Sequence, residues 1–138
     1  MKIAIVGSRG FVVNQKHYNI VKSFIAEKIN ITHIEEIVSG GAEGADSLAL
    51  WFAKYEEIER LTIFCPQWKK CKGKSAGYVR NQGIVAISDV VFVFWDGKSK
   101  GTKHTIDLCE KMGTRCCICE YLKEGTNERK GKRTPVIQ

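Results

Sequence analysis

The chain has 138 residues, 43% of them apolar, and a formal net charge of +7. That length suits one domain with a real core, and no apolar stretch approaches the roughly 20 residues of a membrane span. The opening run, Met1 to Gly7, is short and goes straight into a glycine turn, so it reads as a strand and not as a secretory signal. A cytoplasmic protein with no membrane contact is expected.

Taken in order, Lys2 to Val6 is a buried first strand ending in glycine. Asn14 caps a helix running to about Ile29, with Tyr18, Val21, Phe24, Ile25 and Ile29 as its apolar stripe. Ile34 to Val38 reads as a second strand. The helix after the following glycine loop puts Ala45, Leu48, Ala49 and Phe52 on one face. Leu61 to Cys65 is a third strand stopped by Pro66; a lysine-rich loop then leads to a helix from about Ala76 to Ile87. Asp89 to Trp95 is apolar on both faces, the mark of a central parallel strand covered by helices on each side. A helix near Thr102 to Met112 and a last strand, Arg115 to Tyr121, complete a βαβαβαβαβ alternation. Such alternation predicts an α/β domain with a five-stranded parallel sheet and right-handed crossovers. Strand order 3-2-1-4-5 would bring the turns after strands one and four together at a switch point, where ligands bind. The domain spans residues 1–122, and 123–138 form a basic, flexible tail.

Charge and cysteines refine this. Lys69, Lys70, Lys72, Lys74 and Arg80 give the segment from Gln67 to Arg80 a charge of +5, and the stretch from Lys123 onward carries +3. Of the six cysteines, Cys116 and Cys119 form a formal C-x-x-C inside a strand. Residues three apart on a strand face opposite ways, which is a poor arrangement for a shared metal. Cys65 and Cys71 do not match zinc-ribbon spacing. Reduced, buried thiols are expected. His17 and His33 read as surface residues, whereas His104 lies close to a glycine loop.

Four short segments carry the chemistry. Gly7-Ser8-Arg9 follows the first strand, and Arg9 can clamp a phosphate. Ser39, Gly40, Gly41, Ala42, Gly44, Ala45 and Asp46 belong to a loop that opens a helix, where glycines let backbone amides approach an anion. Lys74, Arg80 and Asn81 offer counter-charge and an amide able to read a base or sugar edge. Trp95, Asp96, Gly97, Ser99, Gly101 and Thr102 form a second glycine loop, with Lys98, Lys100 and Lys103 making its mouth electropositive.

These segments, Gly7 to Gly10, Val38 to Ala49, Pro66 and Trp68 with Gly73 to Asn81, and Ser88 to Thr102, resemble the SLOG superfamily, above all its small stand-alone YspA-like and YpsA-like branch. The resemblance spans roughly Met1 to Ile106 and implies a Rossmann-like domain with a nucleotide-type ligand at the carboxyl edge of the sheet. Its relatives include LOG-type phosphoribohydrolases, the single-stranded-DNA-binding DNA-processing protein A, and sensor domains for NAD- or ADP-ribose-derived signals. The hydrolase branch carries P-G-G-x-G-T-x-x-E with a catalytic glutamate and an arginine in an R-K pair. Here Gly101-Thr102 matches, Thr105 falls at the glutamate, and Arg80 is followed by Asn81. A threonine cannot replace a carboxylate in stabilising an oxocarbenium-like transition state.

The reading is therefore a binder of a nucleotide or nucleotide derivative of the AMP, ADP-ribose or NAD kind, serving to sense, sequester or process it. Amides of the 39–46 and 96–102 loops would hold phosphates; Arg9, Lys74 and Arg80 would balance their charge; Asp46 and Asn81 would read sugar or base. Mg²⁺ is the one cofactor such a ligand would bring. The alternatives are an N-glycosidic hydrolase, with Arg80, Asp46 and Asp96 as catalytic candidates, and a single-stranded nucleic-acid binder using the basic cluster. A homo-oligomer is compatible with each.

Overall fold

A computed structural model describes residues 1–11, 14–41, 47–64, 74–121 and 136–137, with 74, 75, 136 and 137 described through their backbone alone. The strands are β1 (Lys2–Gly7), β2 (Glu36–Ser39), β3 (Arg60–Ile63), β4 (Val90–Trp95), β5 (Arg115–Glu120) and β6 (Val136–Ile137). The helices are α1 (Gln15–Lys28), α2 (Ser47–Tyr55), α3 (Lys74–Ile87) and α4 (Lys100–Met112). Five strands run parallel in the expected order β3-β2-β1-β4-β5. Beyond the expected five, β6 adds an antiparallel edge strand, setting Val136 opposite Ile118 and Ile137 opposite Cys117.

Local chemistry explains the ends of the elements. Asn14 caps α1 by accepting a hydrogen bond from the His17 amide at 2.8 Å. Ser99 caps α4, and Gly113, left-handed at φ 72°, closes it. β2 begins at Glu36 and not at Ile34, because Asn30 caps a short 3-10 turn over Ile31–His33 that consumes the preceding residues. Glu36 is buried, and its carboxylate accepts from the Thr62 hydroxyl at 2.9 Å, tying β2 to β3.

Alternation along the strands divides the core between the two faces of the sheet. Ile3, Ile5, Phe92, Phe94, Cys117 and Cys119 meet Val21, Phe24 and Ile25 of α1 and Leu48 and Phe52 of α2. Ala4, Val6, Val91, Val93, Cys116 and Ile118 meet Ile84 and Val85 of α3 and Ile106 and Cys109 of α4. Cys116 and Cys119 thus lie on opposite faces, as strand geometry requires. A buried Phe, Ile or Leu side chain contributes about 1.5–3 kcal/mol, so this two-sided burial supplies most of the driving force. No described helix is long and apolar enough to cross a membrane.

Candidate functional site

The site begins where β1 and β4 end together. They pair from Ile3 opposite Val90 to Gly7 opposite Phe94, so the turns after them leave the sheet side by side. The Ser8 amide extends the ladder by donating to the Phe94 carbonyl at 3.0 Å. The Ser8 hydroxyl then accepts from the Asp96 amide at 3.1 Å. Asp96 organises its own loop: one carboxylate oxygen accepts from the amides of Lys98 and Ser99, both at 2.8 Å. The Ser99 hydroxyl accepts from the Thr102 amide at 3.4 Å and from the Thr102 hydroxyl at 3.1 Å. The Trp95 indole donates to the Ser99 carbonyl at 3.1 Å, so Trp95 braces the loop from behind. Of the amides in the 96–102 loop, those of Lys98, Ser99 and Thr102 are therefore engaged within the loop. Helix geometry directs the amides of Lys100 and Gly101 outward along the axis of α4.

A second group stands on α3. Arg80 donates through Nη1 to the Gly40 carbonyl at 3.0 Å and through Nε to the Asn81 side-chain oxygen at 3.0 Å. The Asn81 nitrogen lies 3.4 Å from the Gly101 carbonyl oxygen and 3.1 Å from His104 Nδ1. The Tyr78 ring covers the imidazole, with centroids 4.0 Å apart and planes tilted by 30°. Burial holds the imidazole below its ordinary pKa, with Asp107 opposing in part. Gly41 is the position in this neighbourhood where a side chain is excluded. Its φ is +70°, and an added Cβ would come within 2.8 Å of Ile63 Cγ2. Its amide donates to the Ser39 hydroxyl at 3.1 Å.

These elements enclose a cavity of about 470 Å³ at the carboxyl edge. Of the residues expected from sequence, Gly7, Ser8, Arg9, Arg80, Asn81, Asp96, Ser99, Gly101 and Thr102 line it. Ser39, Gly40, Gly41, Trp95 and Gly97 are not on the described wall. Ala42, Gly44, Ala45 and Asp46 lie outside the described residues, as do the side chain of Lys74 and the lysines at 69, 70 and 72. The wall also includes Lys98, expected as part of an electropositive mouth, and Val6, Gly10, Ile84 and Thr105, which were not expected among the ligand-binding residues. Helical spacing carries the missing signal: Ile84 lies one turn beyond Arg80 and Asn81, and Thr105 one turn beyond Gly101 and Thr102.

The described wall is electropositive, with Arg9, Arg80 and Lys98 against the single carboxylate of Asp96. Beside it, burial pushes the Tyr121 hydroxyl up to about 12, the Ser8 hydroxyl partly offsetting this and Asp96 adding to it. Thr105 is buried, and its hydroxyl donates to the Gly101 carbonyl at 3.4 Å. Among the described residues, no group of three or more His, Cys, Asp or Glu gathers as a metal site.

Neither the protein-family comparison nor the curated-protein comparison returns a match. Among solved structures, the chain is similar to DNA processing protein A from Helicobacter pylori, a structure described for its single-stranded DNA binding mode. The TM-score is 0.63 at 21% sequence identity, covering 93% of this chain and 67% of that one. At that identity the likeness shows the fold. The class is thus a Rossmann-like α/β domain, with a cavity at the switch point between β1 and β4.

Proposed function

We propose that the chain binds a nucleotide or nucleotide derivative, of the AMP, ADP-ribose or NAD kind, through its phosphates in the β1–β4 cavity. The SLOG-like motifs support this, since Gly7 to Gly10, Arg80-Asn81 and the Asp96 to Thr102 loop converge on one wall. The observation that carries the reading is the charge layout: Arg9, Arg80, Lys98 and the amino end of α4 face one cavity, and the carboxylate present is already bonded to two amides. The volume lies in the range typical of small-molecule sites, about 300–1,000 Å³. Any Mg²⁺ would enter with the phosphates, Asp96 being the carboxylate on the described wall.

Binding without N-glycosidic turnover fits this wall better than hydrolysis. Thr105 stands where the resembled hydrolases carry glutamate, and Asp96 is committed to shaping its loop. A second reading, single-stranded nucleic acid, is favoured by the likeness to DNA processing protein A. The two differ in their dependence on salt, because a strand contacted at several phosphates loses affinity steeply as salt rises.

A thermal-shift panel separates them: AMP, ADP, ADP-ribose, NAD and a short single-stranded oligonucleotide at fixed salt. A ligand at about a hundred times its Kd adds roughly 2.7 kcal/mol. A shift with one small nucleotide, lost on Arg80→Ala, supports the proposal. A shift with the oligonucleotide alone would replace it with the nucleic-acid reading.

A further inference from the structure

Arg80, Asn81 and His104 form a hydrogen-bonded chain whose polarity is dictated from one end. A guanidinium only donates. The Asn81 oxygen must therefore face Arg80 Nε, and the Asn81 nitrogen must face the Gly101 carbonyl and His104 Nδ1. Nδ1 then has to accept, so the imidazole carries its one proton on Nε2. Asn81 is 6% exposed, which leaves little room for water to replace a lost partner. A proton added at Nδ1 would set N–H against N–H. Turning the amide over would satisfy the imidazolium, but it would point the Asn81 nitrogen at Arg80 Nε and withdraw the donor from Gly101. One link breaks either way.

The groups around the imidazole do not remove this conflict. From α3, the Tyr78 ring covers it and Arg80 lies beyond Asn81. On α4 the flanking charges are Lys100, Lys103 and Asp107, and Asp107 is paired with Lys103.

We propose that His104 is a positioning residue for the anion site: while its imidazole is neutral, Asn81 presents its oxygen to Arg80 Nε, and protonation of Nδ1 turns the amide over and takes that acceptor away, leaving the Gly40 carbonyl as the remaining acceptor of Arg80 among the described residues. This rests on the anion-binding reading above. The consequence is a site that loosens as pH falls, even though the protein gains positive charge.

The test has two arms. In the first, the ligand-free full chain is followed by ¹⁵N NMR from about pH 8 to about pH 5, a window that brackets ordinary histidine titration. His104 should show the Nε2–H tautomer at the upper end, and the Arg80 Nε–H resonance should move with the His104 midpoint. His104→Asn places a non-titrating acceptor near the Nδ1 position, so its Arg80 resonance should hold across the range. In the second arm, calorimetry measures ADP-ribose, whose phosphates keep their charge throughout. Wild-type affinity should fall about tenfold at the acid end, the effect of one charge-assisted hydrogen bond. His104→Asn should keep its affinity at both ends, and His104→Ala should be weak at both. An Arg80 resonance indifferent to His104 titration, or acid weakening unchanged in His104→Asn, overturns the proposal. If ADP-ribose binds at no pH, the ligand reading fails, and the NMR arm still decides whether the chain of hydrogen bonds acts as described.

Discussion

Replacing Gly101 by alanine separates what this glycine does for the fold from what it does for the site. It is the second residue of α4, its φ is not among the positive values, and an added Cβ would meet nothing within 4 Å among the described residues. The fold alone would therefore favour alanine. Glycine costs a helix interior about 0.8–1 kcal/mol relative to alanine, so a gain of about 0.5–1 kcal/mol is expected this near the helix end. For a domain of this size that is about 2–4 °C in Tm. The cavity argues the other way: Gly101 is on its wall, so an anion drawn to the outward Gly101 amide is expected to meet the new methyl. A loss of about 1.4 kcal/mol, or tenfold in Kd, is expected for ADP-ribose. Thermal unfolding and calorimetric titration on the same preparation read both numbers. A destabilised Gly101→Ala would refute the geometry at the start of α4. A stabilised variant that binds as tightly as the parent would show that the amino end of α4 is not where the ligand sits.

Gly83→Ala should behave in the opposite way, since its Cβ would lie 2.8 Å from Phe64 Cε1 and 2.9 Å from Cδ1. Thermal melts should show a loss of about 1–3 kcal/mol from overpacking in place of the usual helical gain. Tyr18→Phe removes the 2.6 Å bond to Glu56, a carboxylate with 14% side-chain exposure that also pairs with Lys22 at 3.0 Å. Urea unfolding at neutral pH should register a loss of about 1–2 kcal/mol. Burial would raise the Glu56 carboxyl, but the Tyr18 hydroxyl and Lys22 outweigh it and hold it low. Its contribution is thus present above the unfolded carboxylate pKa and lost as pH falls through the folded value, so the gap between parent and Tyr18→Phe should close in acid. Tyr121→Phe deletes a buried hydroxyl that is near enough to Ser8 to feel it but meets hydrogen-bond geometry with no described residue, and melts should show a neutral or slightly raised Tm.

The parallel sheet was legible because its signals are local and periodic. Val90 to Trp95 is apolar on both faces because both faces are covered, and Asn14 announces a helix start by side-chain chemistry; α4 was expected from about Thr102, and its Ser99 cap starts it at Lys100. The shift of β2 to Glu36 was less legible, since an Asn-capped 3-10 turn and a strand start look alike in an apolar stretch. Val136–Ile137 carries no pattern at two residues, and its pairing with β5 is a tertiary fact. The same division holds in the site. Glycine turns at strand ends were legible, and Gly7, Ser8, Arg9, Asp96 and Gly101 among them line a cavity there. The partners of Arg80 and Asn81 lie 40 and 23 residues away, at Gly40 and His104, and no spacing rule reaches that far.

The loop after β4 is complete without any visitor. Asp96 supplies the negative charge that the amides of Lys98 and Ser99 would otherwise take from solvent or ligand, Ser8 pins Asp96 to the neighbouring strand end, and Trp95 closes the loop from behind. A ligand arriving at this mouth would have little backbone to order, so the entropic penalty of association falls mainly on the ligand. Recognition of this kind is rigid-body docking, with a fast encounter and affinity differences between related ligands expressed mostly in how long each one stays.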